Sequence, residues 1–432
     1  MTESTIKVAL LGAGTVGSQV ARILTEDRDE LAQRIGGTPE LIGIAVRSVD
    51  TPRDYKAADA LYTTDAESLI DRADVVIELT GGLEPAKTRI LHALAAGKHV
   101  VSGNKALIAA HGAELMTAAR QSGAQFSFEA AVAGAIPILR PLRDSLAGDH
   151  ITRVLGIMNG TTNFMLDAMD ARGADFDEVL AEAQRLGYAE ADPTADVEGH
   201  DAAAKAAIVA SLAFHSEFHI DDVHCTGISD ITADDVTAAA NDGYVIKLLS
   251  VCERDGEGVN IRVNPALIPR SHPLASVHDA YNAVFVESRD AGELMFYGPG
   301  AGGAPTASAV MGDFVSLARR SVLGGPGVPD YSYLGLAATS LSNVVSRYTV
   351  GLEVRDQLGV LAKIANVFAE HGVSIETMHQ AKHREREDTA GDHATIRIVT
   401  HKTSNEDLRS TIAELTSLPT VYNVTSVIQV EG

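Results

Sequence analysis

The first hundred residues repeat one pattern: a short unbroken apolar run, a glycine-bearing break, then a longer stretch with helical spacing. IKVALLGAGTVGSQVARIL near the N-terminus reads as strand, turn and helix. LIGIAV ending at Val46, DVVIELT running into Gly81 and Gly82, and HVVSGNKAL from His99 are further strands, with PAKTRILHALAAG as a helix between the last two. This alternation predicts an α/β unit of Rossmann type, a doubly wound parallel sheet over 1–137. Ligands of such sheets sit at the carboxyl ends of the strands, here Thr80, Ser102 and Lys105.

The pattern then changes. ITRVLGIMN, VNIRV (259–263) and AVFVES (283–288), with helices from Thr161 and Asp177, predict an α+β layer with a mixed sheet over 138–300. The loop YGPGAGGAPTASAV and its small-residue helix fit a chain that returns to the first unit at about 301–320. A Gly/Pro-rich stretch, LGGPGVPDYSYLG, predicts a linker over 321–346. Beyond it, 347–432 reads as a βαββαβ unit, with the charged run HREREDTAGD as a solvated loop. The linker implies few packing constraints between this last unit and the rest.

Composition narrows the partners. At 432 residues the chain suits two or three domains. A net charge of −23 and a pI near 5.0 argue against nucleic acid and anionic membranes. Without a signal peptide or an apolar run of about 18 residues, neither export nor membrane insertion is indicated, and a cytoplasmic protein is expected. Cys225 and Cys252 form no metal or CxxC pattern and read as buried small hydrophobes. His200 and His215 lack ligand spacing.

Two segments carry candidate chemistry. Gly12, Gly14 and Gly17 have dinucleotide-fingerprint spacing, between a strand and a helix whose N-terminus attracts phosphates. An ordinary glycine-rich turn is the alternative. Arg47, just past the second strand, favours the 2′-phosphate of NADP, while Asp50 keeps NAD open. The second segment is GYAEADPTADVEGHDAAAK, residues 187–205. It is an acidic loop feeding an alanine-rich helix on which Asp201 and Lys205, four apart, share a face. A solvated ion pair is the common alternative for such a pair.

The fingerprint at Gly12, GNKAL (103–107), EAAVAGAIP (129–137) and the 187–205 run, in that order, together resemble homoserine dehydrogenase over about residues 5–320. The C-terminal unit resembles an ACT domain, a small-amino-acid sensor. The resemblance implies interconversion of L-aspartate 4-semialdehyde and L-homoserine, on the route to threonine, methionine and isoleucine. Its cofactor would be NADPH, or NADH as an alternative. It makes Lys205 the proton donor and Lys105 its partner, and it places Glu190 and Asp201 on the substrate. Asp196 either contacts substrate or orients a lysine or the loop. Cofactor contacts fall to Gly12, Ala13, Gly14, Thr15, Val16, Gly17, Arg47, Thr80, Ser102, Lys105, Gly187 and Gly302. A monovalent cation such as sodium would be held by Glu129 and by backbone oxygens of Val132, Gly134 and Ile136, residues that by themselves read only as a glycine-interrupted strand end. A homodimer or homotetramer is expected. In the ACT-like unit Gly359 marks the turn where an effector, threonine by pathway logic, would bind, and a purely structural unit is the alternative. Two other functions compete: aspartate-semialdehyde dehydrogenase, which needs a cysteine nucleophile, and a non-catalytic sensor.

Overall fold

The computed structural model describes residues 4–325, 332–382 and 393–432. Part of the Gly/Pro-rich linker and all of the charged run 383–392 lie outside the described residues. The first unit contains β1 (Thr5–Leu11), β2 (Thr38–Ala45), β3 (Tyr62–Thr63), β4 (Val75–Glu78), β5 (His99–Ser102) and β6 (Phe126–Ser127). They form a parallel sheet in the order β3-β2-β1-β4-β5-β6. Strand order reverses between β1 and β4, which opens a crevice at their carboxyl ends. Successive side chains of a strand point to opposite faces. Accordingly Val75 and Ile77 join one core with Val8 and Leu10, while Val76 joins another with Ala9 and Leu11. Burial on both faces explains the unbroken apolar runs. The helix Gly303–Leu323 returns to this unit and places Val310 and Phe314 in the Val8/Leu10 core.

The remaining strands are β7 (Ile151–Ile157), β8 (His224–Cys225), β9 (Tyr244–Asp255), β10 (Gly258–Pro269), β11 (Tyr281–Ser288), β12 (Gly292–Pro299), β13 (Ala337–Ala338), β14 (Val345–Arg355), β15 (Ile375–Lys382), β16 (His393–Thr400), β17 (Thr403–Ser404) and β18 (Val421–Val430). They belong to one mixed sheet with the central path β12-β11-β7-β9-β10-β18-β14-β16-β15. The expected Rossmann, mixed-sheet and βαββαβ regions are therefore present. The last of these has its own core around Leu352, Ile364, Phe368 and Ile396.

The structure departs from the expectation of a loosely attached C-terminal unit. β18 pairs in parallel with β10 through Gln429 and Val430, and the Glu431 amide donates to Leu267 O at 2.9 Å. Glu431, 3% exposed, accepts from Arg262 Nη2 at 2.6 Å and from Arg153. The linker is also held, with the Leu334 amide bonded to His215 O and the Leu336 amide to Ser216 Oγ, both at 2.9 Å. Periodicity in a sequence fixes which face of a strand is buried. It does not say which neighbour the strand's edge will join.

Candidate active site

Between the two sheets lies a cavity of about 510 Å3, lined by Lys105, Asn159, Glu190, Asp196, Asp201 and Lys205 among others. Two helix starts build it. Asn104 caps the helix Lys105–Ser122, its Oδ1 accepting from the Leu107 amide at 3.3 Å, so Lys105 stands at the carboxyl end of β5. Gly199 precedes the helix His200–Ala213, whose alanines let it pack on nearly every side and carry Asp201 and Lys205 inward.

Lys205 is 9% exposed. Its Nζ donates to Asp201 Oδ2 at 2.6 Å and to Met158 O at 2.7 Å. Asp201 also accepts from Asn159 Nδ2 at 3.0 Å and, on its other oxygen, from Lys105. The pair is therefore not the solvated one that abundance favours. Burial pushes the Asp201 carboxyl up, but the charges of Lys205 and then Lys105 outweigh it and hold the group below the usual carboxylate range. An ammonium has three N–H donors, and two of those on Lys205 are committed to protein. The third is the donor left for a ligand oxygen.

Glu190, Asp196, Asp201, Lys105, Lys205 and Gly187 all line this one cavity. Their local roles differ from the sequence reading in one respect. Asp201 accepts from both lysines and Asn159, so in this structure it holds the catalytic candidates while it also lines the cavity. Asp196 Oδ1 accepts from Asn159 Nδ2 at 2.7 Å, which fits the orienting alternative. Glu190 is exposed; its backbone oxygen accepts from Gln184 Nε2 at 3.1 Å, while its carboxylate makes no hydrogen bond or ion pair among the described residues and is free for an ammonium. Sequence reasoning missed Asn159 and Thr161. Asn159 bridges the two aspartates and caps the next helix, accepting from the Thr162 amide at 2.9 Å, while Thr161 Oγ1 donates to Tyr188 O at 2.7 Å. The available signal was the Asn-Gly-Thr-Thr run at the end of an apolar strand, a helix-capping pattern.

The crevice above β1 and β4 fits a dinucleotide. Gly12 has φ +94°, and a Cβ there would meet Leu79 O at 2.6 Å; a Cβ at Gly17 would meet Gly12 O at 2.2 Å. A Cβ at Gly14 would find no protein atom within 4 Å, so that space is open to a ligand. Ala13, Thr15 and Val16 complete this turn and the helix start that faces it. A Cβ at Gly303, next to Gly302, would meet Thr15 O at 2.8 Å, which brings the N-termini of the helices Thr15–Glu26 and Gly303–Leu323 side by side. Arg47 is exposed beyond β2 and makes no hydrogen bond or ion pair among the described residues. Its loop is folded by Arg53, which donates to Ser48 O and Thr51 O at 2.6 Å and to Val49 O at 3.1 Å.

Glu129 does not match its expected place as a cation ligand through its side chain. Oε1 accepts from the Ile138 and Leu139 amides at 2.6 and 2.8 Å, and Oε2 from the Arg140 amide and Nε at 2.8 and 3.1 Å. A carboxylate has about four lone-pair sites, and these donors fill them. The turn through Ala133 and Gly134, with φ of +54° and +57°, leaves only the backbone oxygens of this segment as candidates. At the surface, Asp149, His150 and Asp290 bring ligand atoms within 4.8 Å of one another. Asp149 already accepts the His150, Asp290 and Ala291 amides there, at 2.6, 3.1 and 2.8 Å.

One wall of the cavity, at Ala280 and Asn282, is set by a buried lysine outside it. Lys247 Nζ donates to Val277 O at 2.6 Å and Asn163 Oδ1 at 3.0 Å, and Asn163 Nδ2 in turn donates to Asp279 O at 2.8 Å. Burial lowers the Lys247 pKa to about 8, against the opposing charges of Asp167 and Asp170. Because the folded pKa lies below the unfolded 10.5, the unfolded chain binds more protons between these values and stability rises with pH across that window. Replacing Lys247 with Met removes this gain. In urea titrations the wild type should gain on the variant by on the order of 2–3 kcal/mol from the lower to the upper end of the window, and a constant gap would refute the shift.

A dinucleotide-type parallel sheet facing a lysine-centred cavity defines a nicotinamide-dependent oxidoreductase. The profile for homoserine dehydrogenase matches residues 137–315, that for its NAD-binding domain residues 12–129, and that for the ACT domain residues 348–420. A homoserine dehydrogenase of Corynebacterium glutamicum is 53% identical over 435 residues, covering 99% of this chain and 96% of that protein. The crystal structure of a homoserine dehydrogenase from Thiobacillus denitrificans superimposes with a TM-score of 0.91 at 38% identity, covering 99% of both chains. A hyperthermophilic archaeal homoserine dehydrogenase in complex with NADPH matches at a TM-score of 0.63 and 27% identity, covering 75% of this chain and 100% of its own. The chain belongs to the homoserine dehydrogenase family.

Proposed function

We propose that the protein interconverts L-aspartate 4-semialdehyde and L-homoserine with NADPH, and that the C-terminal unit makes the reaction sensitive to threonine. The observation that carries the reading is Lys205: a buried ammonium with one uncommitted donor, fixed by Asp201 and Met158 O in the interdomain cavity. When bound in the crevice, the nicotinamide supplies or accepts the hydride. Lys205 donates to the substrate oxygen, stabilising the developing alkoxide and passing it a proton, with Lys105 adding positive charge from the other side of Asp201. Glu190 receives the substrate ammonium. Backbone oxygens of Glu129, Val132, Gly134 and Ile136 are the donors this reading leaves to a monovalent cation, which takes no part in the chemistry.

Arg47 supports NADPH over NADH, because an uncommitted guanidinium stands where a 2′-phosphate would lie. Replacing it with Asp removes the partner and adds repulsion, and the ratio of kcat/KM for NADPH over NADH should fall about tenfold or more. A wild-type enzyme that already favours NADH refutes this. For the effector, Gly359 (φ +88°) opens the helix Val360–Glu370 beside a cavity of about 470 Å3 lined by Asp356, Gln357 and Gln380. No helix of the described residues is long and apolar enough to cross a membrane, and we place the enzyme in the cytoplasm.

The aspartate-semialdehyde dehydrogenase alternative lacks a thiolate. Burial pushes the Cys252 thiol up to about 12. Cys225 is exposed, unlike the buried residue expected from sequence, but partial burial raises its thiol too, and its Sγ donates to Glu198 O at 3.2 Å. The deciding assay follows NADPH oxidation with aspartate semialdehyde, without phosphate, with and without threonine. Oxidation inhibited by threonine supports the full reading. Uninhibited oxidation removes the regulatory part, and no oxidation removes the catalytic one.

A further inference from the structure

Glu78 is 0% exposed and closes β4 at the point where strand order reverses. A buried carboxylate is costly unless its oxygens are hydrogen-bonded. Here Oε1 accepts from the Thr80 amide at 2.7 Å and the Thr80 hydroxyl at 2.5 Å, while Oε2 accepts from the Ser102 hydroxyl at 2.9 Å. The chain of bonds continues. Ser102 Oγ accepts from the Asn104 amide at 3.1 Å, and Asn104 Nδ2 donates to Gly82 O at 2.6 Å. Asn104 is also the cap of the helix that begins with Lys105. One carboxylate therefore ties together the two loops, 79–82 and 102–105, that flank the crevice, and its bonds end one residue before the lysine that meets Asp201.

We propose that Glu78 is a positioning residue for the cofactor: it holds both loops at the spacing the nicotinamide half requires and sets the position of Lys105. The proposal rests on the reading of the crevice as the nicotinamide site. Backbone pairing of β4 with β5 brings Glu78 opposite Ser102 and runs one residue further, to the Gly103 amide on Glu78 O at 3.3 Å. Beyond that, at Thr80 and Asn104, the hydrogen bonds radiating from Glu78 take over.

The test measures NADPH binding by fluorescence titration and steady-state kinetics for Glu78→Ala and Glu78→Gln. Alanine removes all three bonds. The NADPH Kd should rise about tenfold or more and kcat should fall, with the homoserine KM within about twofold of wild type. Glutamine keeps the shape and an acceptor for Thr80, and it should recover most of the loss. A lowered melting temperature with Kd and kcat within about twofold of wild type in the alanine variant, or a glutamine variant no better than alanine, overturns the proposal. If the alanine variant does not accumulate folded, Thr80→Val removes one donor and leaves the carboxylate in place. The same split is then expected at about threefold, and unchanged Kd and kcat overturn the proposal. A wild type that binds no NADPH defeats the crevice reading and this proposal with it. A wild type and an alanine variant that bind alike defeat the proposal alone.

Discussion

Replacing Lys205 with Met lowers kcat for homoserine oxidation by about 10²–10⁴ while leaving NADPH affinity within about twofold. The size follows from what is lost. On the proposed reading the uncommitted N–H of Lys205 serves the reacting oxygen, and a donor that acts on developing charge lowers the barrier without tightening ground-state binding. Methionine fills the space of the stem and so limits packing loss. Asp201 keeps Lys105 and Asn159 as partners, so the carboxylate is not stranded and the fold should survive. Parallel cofactor titration and turnover on one sample separate the two effects. Near-wild-type turnover would remove Lys205 from the chemistry, and a matching loss of cofactor binding would point to a collapsed crevice instead.

The second large effect lies outside the cavity lining. Glu431→Ala should cost on the order of 3–5 kcal/mol of stability. Arg262 is 2% exposed and takes its ion-pair partners from Glu431 and Glu253, at 2.6 and 3.2 Å. Deleting one carboxylate leaves a buried guanidinium short of charge, and Arg153 loses the same partner. The outcome is read from the urea midpoint. A chain cut near Leu334 removes Glu431 and the β18–β10 pairing together, so its stability must be measured before any loss of threonine response is assigned to a missing effector site. A Glu431→Ala variant as stable as wild type would show that the C-terminal unit is attached as loosely as the linker suggests.

These two residues mark where sequence reading reached and where it stopped. The pairing of Lys205 with Asp201 was legible because the two stand one helical turn apart in a run that also carries Glu190 and Asp196, whereas the role of Lys205 came only from the resemblance. Glu431 was not, since the penultimate residue of a chain reads as a solvated tail until β18 is seen to lie against β10. Glu78 ends an apolar run and looks like the strand simply meeting water, yet it is fully buried. Glu129 shows the opposite error. Its segment was assigned by resemblance, and only the amides of Ile138, Leu139 and Arg140 reveal that its carboxylate is already taken. The sheets themselves were predictable because periodicity depends on local burial. Hydrogen bonds between residues distant in sequence leave no such trace.

The most direct measurement follows the hydride. NADPH carrying deuterium in place of both hydrogens on the transferring carbon of the nicotinamide is mixed with wild-type protein and aspartate semialdehyde, without phosphate, and the product is analysed by mass spectrometry. The account predicts homoserine with one deuterium on its hydroxyl-bearing carbon, formed in step with NADPH oxidation and almost absent with the Lys205→Met variant. Homoserine without deuterium, or NADPH that stays unoxidised in the presence of wild-type protein, would contradict it.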